Sequence, residues 1–122
     1  MIKFLKLWLP VVIWALVIFH FSASPTAPIE PTSLQNIIIR KLAHMTEYGL
    51  LFFLISRALQ HPKNIPLAFA LSLFYAFTDE THQLFTPDRS ARISDVFLFD
   101  LVGMIPVWYL LYKKPTLLKL YV

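Results

Sequence analysis

Cysteine is absent from the 122 residues, which excludes disulfides and thiolate metal sites and removes any redox clue to the compartment. Glycine is nearly absent: Gly49 and Gly103 are the only two, and both lie inside apolar segments, where a missing side chain lets two helices approach closely. Charge is scarce as well, at 15% of residues against about 25% in soluble domains. What takes its place is a hydrophobic share of 57%, which excludes an ordinary soluble domain. The formal charge of +4 matters less than where the charges sit, and no nucleic-acid partner is expected.

The apolar residues fall into four runs of membrane-spanning length, about 4–22, 34–59, 65–83 and 93–112. They predict an all-α fold: a polytopic membrane protein with four transmembrane helices in a bundle, forming one domain over 1–122. A cleaved signal peptide is the rival reading of the first run, because Ser22-Ala23-Ser24 resembles a small-residue cleavage site; Pro25 just after it and the long apolar core argue for a retained helix. Pro25, Pro28 and Pro31 make 24–33 an extended connector, with Thr32 or Ser33 placed to cap the second helix. Pro62 marks a tight loop, Pro66 suits the first turn of the third helix, and Pro87 marks a turn. Pro10 and Pro106 fall within helices, as lipid-embedded helices tolerate.

Orientation follows from the charges. With the N-terminus cytoplasmic, Lys3, Lys6, Arg57, Lys63, Lys113, Lys114 and Lys119 lie inside and all seven acids lie in the outer half, as the positive-inside rule requires. Both termini are then cytoplasmic.

The acids are concentrated. Asp79-Glu80-Thr81-His82-Gln83-Leu84-Phe85-Thr86-Pro87-Asp88-Arg89 is a dense polar block at the end of an apolar run. Counting about 1.5 Å per residue from the cytoplasmic markers puts His44, Asp79 and Asp100 in one layer near 20 Å, with Glu47 deeper at about 15 Å and Arg40 and Asp95 near the outer boundary. Lys41, His44 and Tyr48 share one stripe of the second helix, with Glu47 beside it; Ser72, Tyr75, Asp79 and His82 share one of the third, with Gln83 adjacent. A charge facing lipid costs several kcal/mol. Both stripes should therefore turn inward and form an outward-opening polar pocket.

Several chemistries suit such a set. A buried ion network fixing helix register is the bland one, but it needs only one or two polar residues and this end of the chain has about ten. A metal site could draw on His44, Glu47, Asp79, Glu80 or His82, yet Lys41 and Arg89 would repel a cation and no HExxH spacing occurs, so no metal and no other cofactor is assigned. Acid–base chemistry without a metal makes Glu47, Asp79 and Glu80 the candidate acids, His44 the proton shuttle, and Lys41 and Arg89 an anion clamp. Tyr48, His82, Gln83, Asp95 and Asp100 complete the candidate binding set. The partners expected are the lipid bilayer and an anionic lipid headgroup or cell-wall precursor approached from the outer leaflet. Ser56, Ser72 and Ser90 lack a nucleophile elbow or base. His20, His61, Trp8, Trp14, Trp108 and Tyr121 read as interface anchors, loop residues or lipid-facing bulk.

The pattern Lys41-x-x-His44-x-x-Glu47-Tyr48, then Asp79-Glu80-x-His82-Gln83-x-Phe85-x-Pro87-x-Arg89, then Asp95 and Asp100-x-x-Gly103, resembles the VanZ-like family across most of the chain. The resemblance implies a small multi-pass protein of the bacterial cytoplasmic membrane, in a family whose namesake is associated with teicoplanin resistance; it implies no known reaction. One departure stands out. The family pattern separates the two acidic or amide positions of the last helix by four residues, whereas Asp95 and Asp100 are five apart, so they share a face only if a π-bulge absorbs the extra residue. Two functional classes remain open, a headgroup-modifying envelope enzyme and a non-catalytic binder; a transporter lacks the internal repeats it would need.

Overall fold

The structure is a computed structural model that describes residues 1–23, 34–86, 94 and 96–119. Four helices make it up: α1 (Ile2–Ala23), α2 (Leu34–Leu59), α3 (Ile65–Gln83) and α4 (Leu101–Lys113), the last continuing from a π-helical turn over Val96–Asp100. Among the described residues there is no strand. The bounds of α2 and α3 are those the apolar runs and prolines suggest, and Pro66 occupies the first turn of α3 as its missing N–H allows.

The α2–α3 corner is tight. Gln60 leaves α2 in the left-handed conformation, φ 57°, and its amide reaches back to the carbonyls of Ser56 and Arg57. A 3₁₀ turn, Pro62–Asn64, follows, capped by His61, whose Nδ1 accepts from the Lys63 amide.

Side-chain contacts fix the helix directions. Ala15 meets Tyr75 and Phe19 meets His82, so α1 runs parallel to α3. Tyr48 meets Asp79 and Phe52 meets Phe69, so α2 is antiparallel to α3; His44 meets Asp100 and Phe52 meets Trp108, so α2 and α4 run the same way. This up-down-up-down order gathers Lys3, Lys6, Arg57, Lys63, Lys113 and Lys114 at one end and Lys41, Asp79, Glu80 and Asp100 toward the other. It also puts the start of α1 and the end of α4 together.

Among the described residues, α1 and the Val96–Lys113 helix are the two that are long and apolar enough to cross a membrane by their own composition. The polar stripes explain why α2 and α3 differ: Arg40, Lys41, Glu47 and Arg57 interrupt one, and Asp79 and Glu80 end the other.

The two glycines set the closest approach in the bundle. A Cβ on Gly49 would sit 2.7 Å from the Gly103 carbonyl oxygen, and one on Gly103 would collide with the Met45 backbone, coming within 2.7 Å of its Cα. The α2–α4 crossing therefore excludes any side chain at either position, as expected from their place in apolar segments. Inward of the polar residues, Phe52, Phe69 and Trp108 form a three-ring cluster with centroids 5.1 to 5.9 Å apart. Trp108 is thus half-buried and packed against the core. Trp8 also packs on the core, and Trp14 lies between helices, as described below. Tyr121 and the 24–33 connector, with the cap expected at Thr32 or Ser33, lie outside the described residues.

Candidate functional site

The buried face of α3 explains how acids come to lie inside. Ile65, Ala68, Ser72, Ala76, Asp79, Glu80 and Gln83 are its buried positions, a run of three- and four-residue steps that begins apolar and ends polar. The face that buries Ala68 against the bundle therefore carries Asp79 inward about three turns further on. The α2 face does the converse, passing from His44 and Tyr48 at its outer part to Leu51, Phe52 and Ile55.

Where the two faces meet, the Tyr48 hydroxyl donates to Asp79 Oδ2 at 2.8 Å, and Gln83 Nε2 donates to the same oxygen at 3.1 Å. Tyr48 is 0% and Asp79 3% exposed, so neither bond competes with water. Asp79 Oδ1, also buried, has no hydrogen-bond partner among the described residues. One turn outward on α2, His44 stacks near Tyr48 with centroids 6.1 Å apart and puts Nδ1 3.4 Å from Asp100 Oδ1 on the π-helical turn. Asp100, Glu47 and Asp79 all lie within electrostatic reach of the His44 imidazole. Three helices thus contribute to one layer, in the order Asp100, His44, Tyr48, Asp79, Gln83, and the depth count that put His44, Asp79 and Asp100 at one height agrees with these contacts.

The π-helical turn is what brings Asp100 round. In Val96–Asp100 the backbone hydrogen bonds span one residue more than in an α-helix, and the turn lies where the five-residue spacing from Asp95 called for a bulge. Asp95 itself, like Arg89, lies outside the described residues.

Other expected members face elsewhere or are used locally. His82 turns to α1 and packs its ring 4.5 Å from that of Phe19. Lys41 holds its ammonium 4.0 Å above the Phe99 ring, on the α4 side of the layer. Ser72 spends its hydroxyl on the Ala68 carbonyl, 2.8 Å away in its own helix, and so adds nothing to the polar stripe. Glu80 is buried beside Asp79, and Glu47 is half-buried. Among the described residues no three His, Asp or Glu side chains converge in a way that would hold a metal ion.

The described polar residues form a packed layer. Apolar grooves lie elsewhere on the bundle. One of about 620 Å³ follows α2 and α4 past Leu42, Met45, Gly49, Phe53, Gly103 and Val107, roughly on the opposite face of α2 from His44 and Tyr48.

Sequence reasoning missed the tethers from α1. Trp14 Nε1 donates to the Glu47 carbonyl at 3.0 Å, and Tyr75 donates to the Ala15 carbonyl at 2.6 Å, so α1 is tied to both helices that carry the layer. A signal was present: the buried residues of α1, Leu7, Val11, Ile18 and Ser22, continue a helical stripe on which Trp14 falls.

Fold and layer together define a small helical protein of membrane character with a buried carboxylate layer shared by three helices. The family model described as VanZ/LLP1 matches residues 5–118, nearly the whole chain, and the protein belongs to that family. No curated protein and no solved structure matches the chain.

Proposed function

We propose that the protein is a four-span protein of the bacterial cytoplasmic membrane that binds or acts on a lipid headgroup or cell-wall precursor at the outer leaflet, using the Asp79 layer. The lysines and arginine gathered at the end away from Asp79 support a cytoplasmic position for that end and for both termini. In this orientation the layer lies in the outer half, and Lys41 and Arg89 are the candidates the sequence offers for an anionic headgroup.

The observation that carries the reading is Asp79 Oδ1, a buried carboxylate oxygen without a partner beside one that accepts two hydrogen bonds. A network kept only for helix register is stable when all its members are satisfied, and leaving a buried acceptor unpaired costs about 1–3 kcal/mol. That deficit is more readily understood as a place kept for a ligand. Glu47, Asp79 and Glu80 are the acid–base candidates if chemistry follows binding, with His44 as the proton shuttle.

The test is lipid and cell-wall profiling of cells with and without the protein, together with their teicoplanin sensitivity. A modified lipid or precursor appearing only in expressing cells supports an enzyme; protection that scales with copy number while the ligand stays unmodified supports a binder. Identical profiles and identical sensitivity would overturn both.

A further inference from the structure

The polarity of the layer bears on what the ligand presents to it. Both donors that reach Asp79, from Tyr48 and Gln83, bond to Oδ2, so Oδ1 is left as an acceptor in a region where Asp100 is a second acid across the His44 imidazole. A group that completes this site must donate. It must also be small, since Asp79 is only 3% exposed. A phosphate meets neither requirement.

We infer that the headgroup inserted at Asp79 Oδ1 is a primary ammonium, an inference that rests on the headgroup-binding reading above and assigns the ligand's polarity at this atom. Two sources share that chemistry, an aminoethyl lipid headgroup and a soluble amine on the outer side. A quaternary trimethylammonium carries the same charge but has no N–H to give, so it separates hydrogen bonding from charge alone.

The experiment uses the full chain, purified in detergent and mixed with vesicles of phosphatidylethanolamine, phosphatidylcholine and phosphatidylglycerol in equal parts, and reads retained lipid by native mass spectrometry. Phosphatidylethanolamine should be retained about tenfold over phosphatidylcholine, the worth of one charge-assisted hydrogen bond. In Asp79→Asn the amide oxygen can take the Oδ2 place against Tyr48 and Gln83, which turns a donating NH₂ toward the ligand, so the preference should vanish. The wild-type comparison of the two lipids remains decisive should that variant fail to fold. A parallel arm heats lipid-free protein with ethanolamine: stabilisation that depends on Asp79, without any lipid preference, supports the inference with a soluble source. Equal retention of the two zwitterionic lipids and no effect of ethanolamine overturn it. If phosphatidylglycerol is then preferred, headgroup binding stands and the ammonium alone is wrong; if no lipid is preferred, both readings fall.

Discussion

The Tyr48 hydroxyl stands 2.8 Å from Asp79 Oδ2 and ties α2 to α3 at a level where both side chains are buried. Interhelical hydrogen bonds in membrane proteins average about 0.6 kcal/mol and reach about 1.7, because the unfolded chain finds other partners. A bond to a carboxylate belongs near the top of that range. Tyr48→Phe should lower stability by about 1–2 kcal/mol, and a double-mutant cycle with Asp79→Ala, which removes the acceptor, should return a coupling of similar size. Reversible unfolding in mixed detergent measures both, and a coupling near zero would mean that the two groups do not bond.

The α2–α4 crossing predicts a sharper effect at its glycines. Ala at position 103 sets a Cβ on the Met45 backbone, and Ala at 49 sets one 2.7 Å from the Gly103 carbonyl oxygen; neither obstacle is a flexible side chain that could yield. Overpacking typically costs about 1–3 kcal/mol. Gly103→Ala should therefore lose at least about 3 kcal/mol and Gly49→Ala somewhat less, read as melting temperature and as the monodisperse fraction on size-exclusion chromatography. A Gly103→Ala protein as stable as the wild type would contradict this packing.

Gln60 offers the opposite sign. It ends α2 at φ 57°, a conformation that glycine adopts without the steric penalty of a Cβ. Gln60→Gly should stabilise the protein by about 0.5–1 kcal/mol, with no effect on the layer at the far end of α2. A fall in melting temperature would show that the side chain contributes more than the backbone strain it imposes.

The tethers of α1 also predict a measurable loss. Trp14→Phe keeps an aromatic ring of smaller size and deletes the donor to the Glu47 carbonyl, and Tyr75→Phe deletes the donor to that of Ala15. Each should destabilise by about 0.5–1 kcal/mol. Because they grip α1 separately, the two losses should be close to additive in the double variant; a total no larger than either single loss would mean that α1 is not held this way.

These predictions show which features can be read from the chain and which cannot. Helix positions were legible because prolines 62 and 66 and the apolar runs mark them strongly, and the common level of His44, Asp79 and Asp100 followed from helical rise alone. The π-helical turn at Val96–Asp100 was legible only as a condition, from a spacing one residue too long for a shared α-helical face. The packing of Trp14 and Trp108 within the bundle was not legible because lipid and protein interior are both apolar, so an aromatic residue on a membrane helix carries no sign of which it meets. His82 shows another limit of spacing: its distance from Asp79 in sequence places it near the polar face, and only the structure shows its ring 4.5 Å from that of Phe19 on α1. Ser72 illustrates a local competitor, since the Ala68 carbonyl four residues earlier in the same helix is always within its reach.

The central claim is that Asp79 serves function and not only folding. It is tested most directly by expressing wild type and Asp79→Asn at matched membrane abundance, established by quantitative immunoblot and size-exclusion profile, and comparing teicoplanin sensitivity. The account predicts that the wild type lowers sensitivity and that the variant, folded and equally abundant, does not. Protection that follows the amount of folded protein and ignores the identity of residue 79 would contradict it.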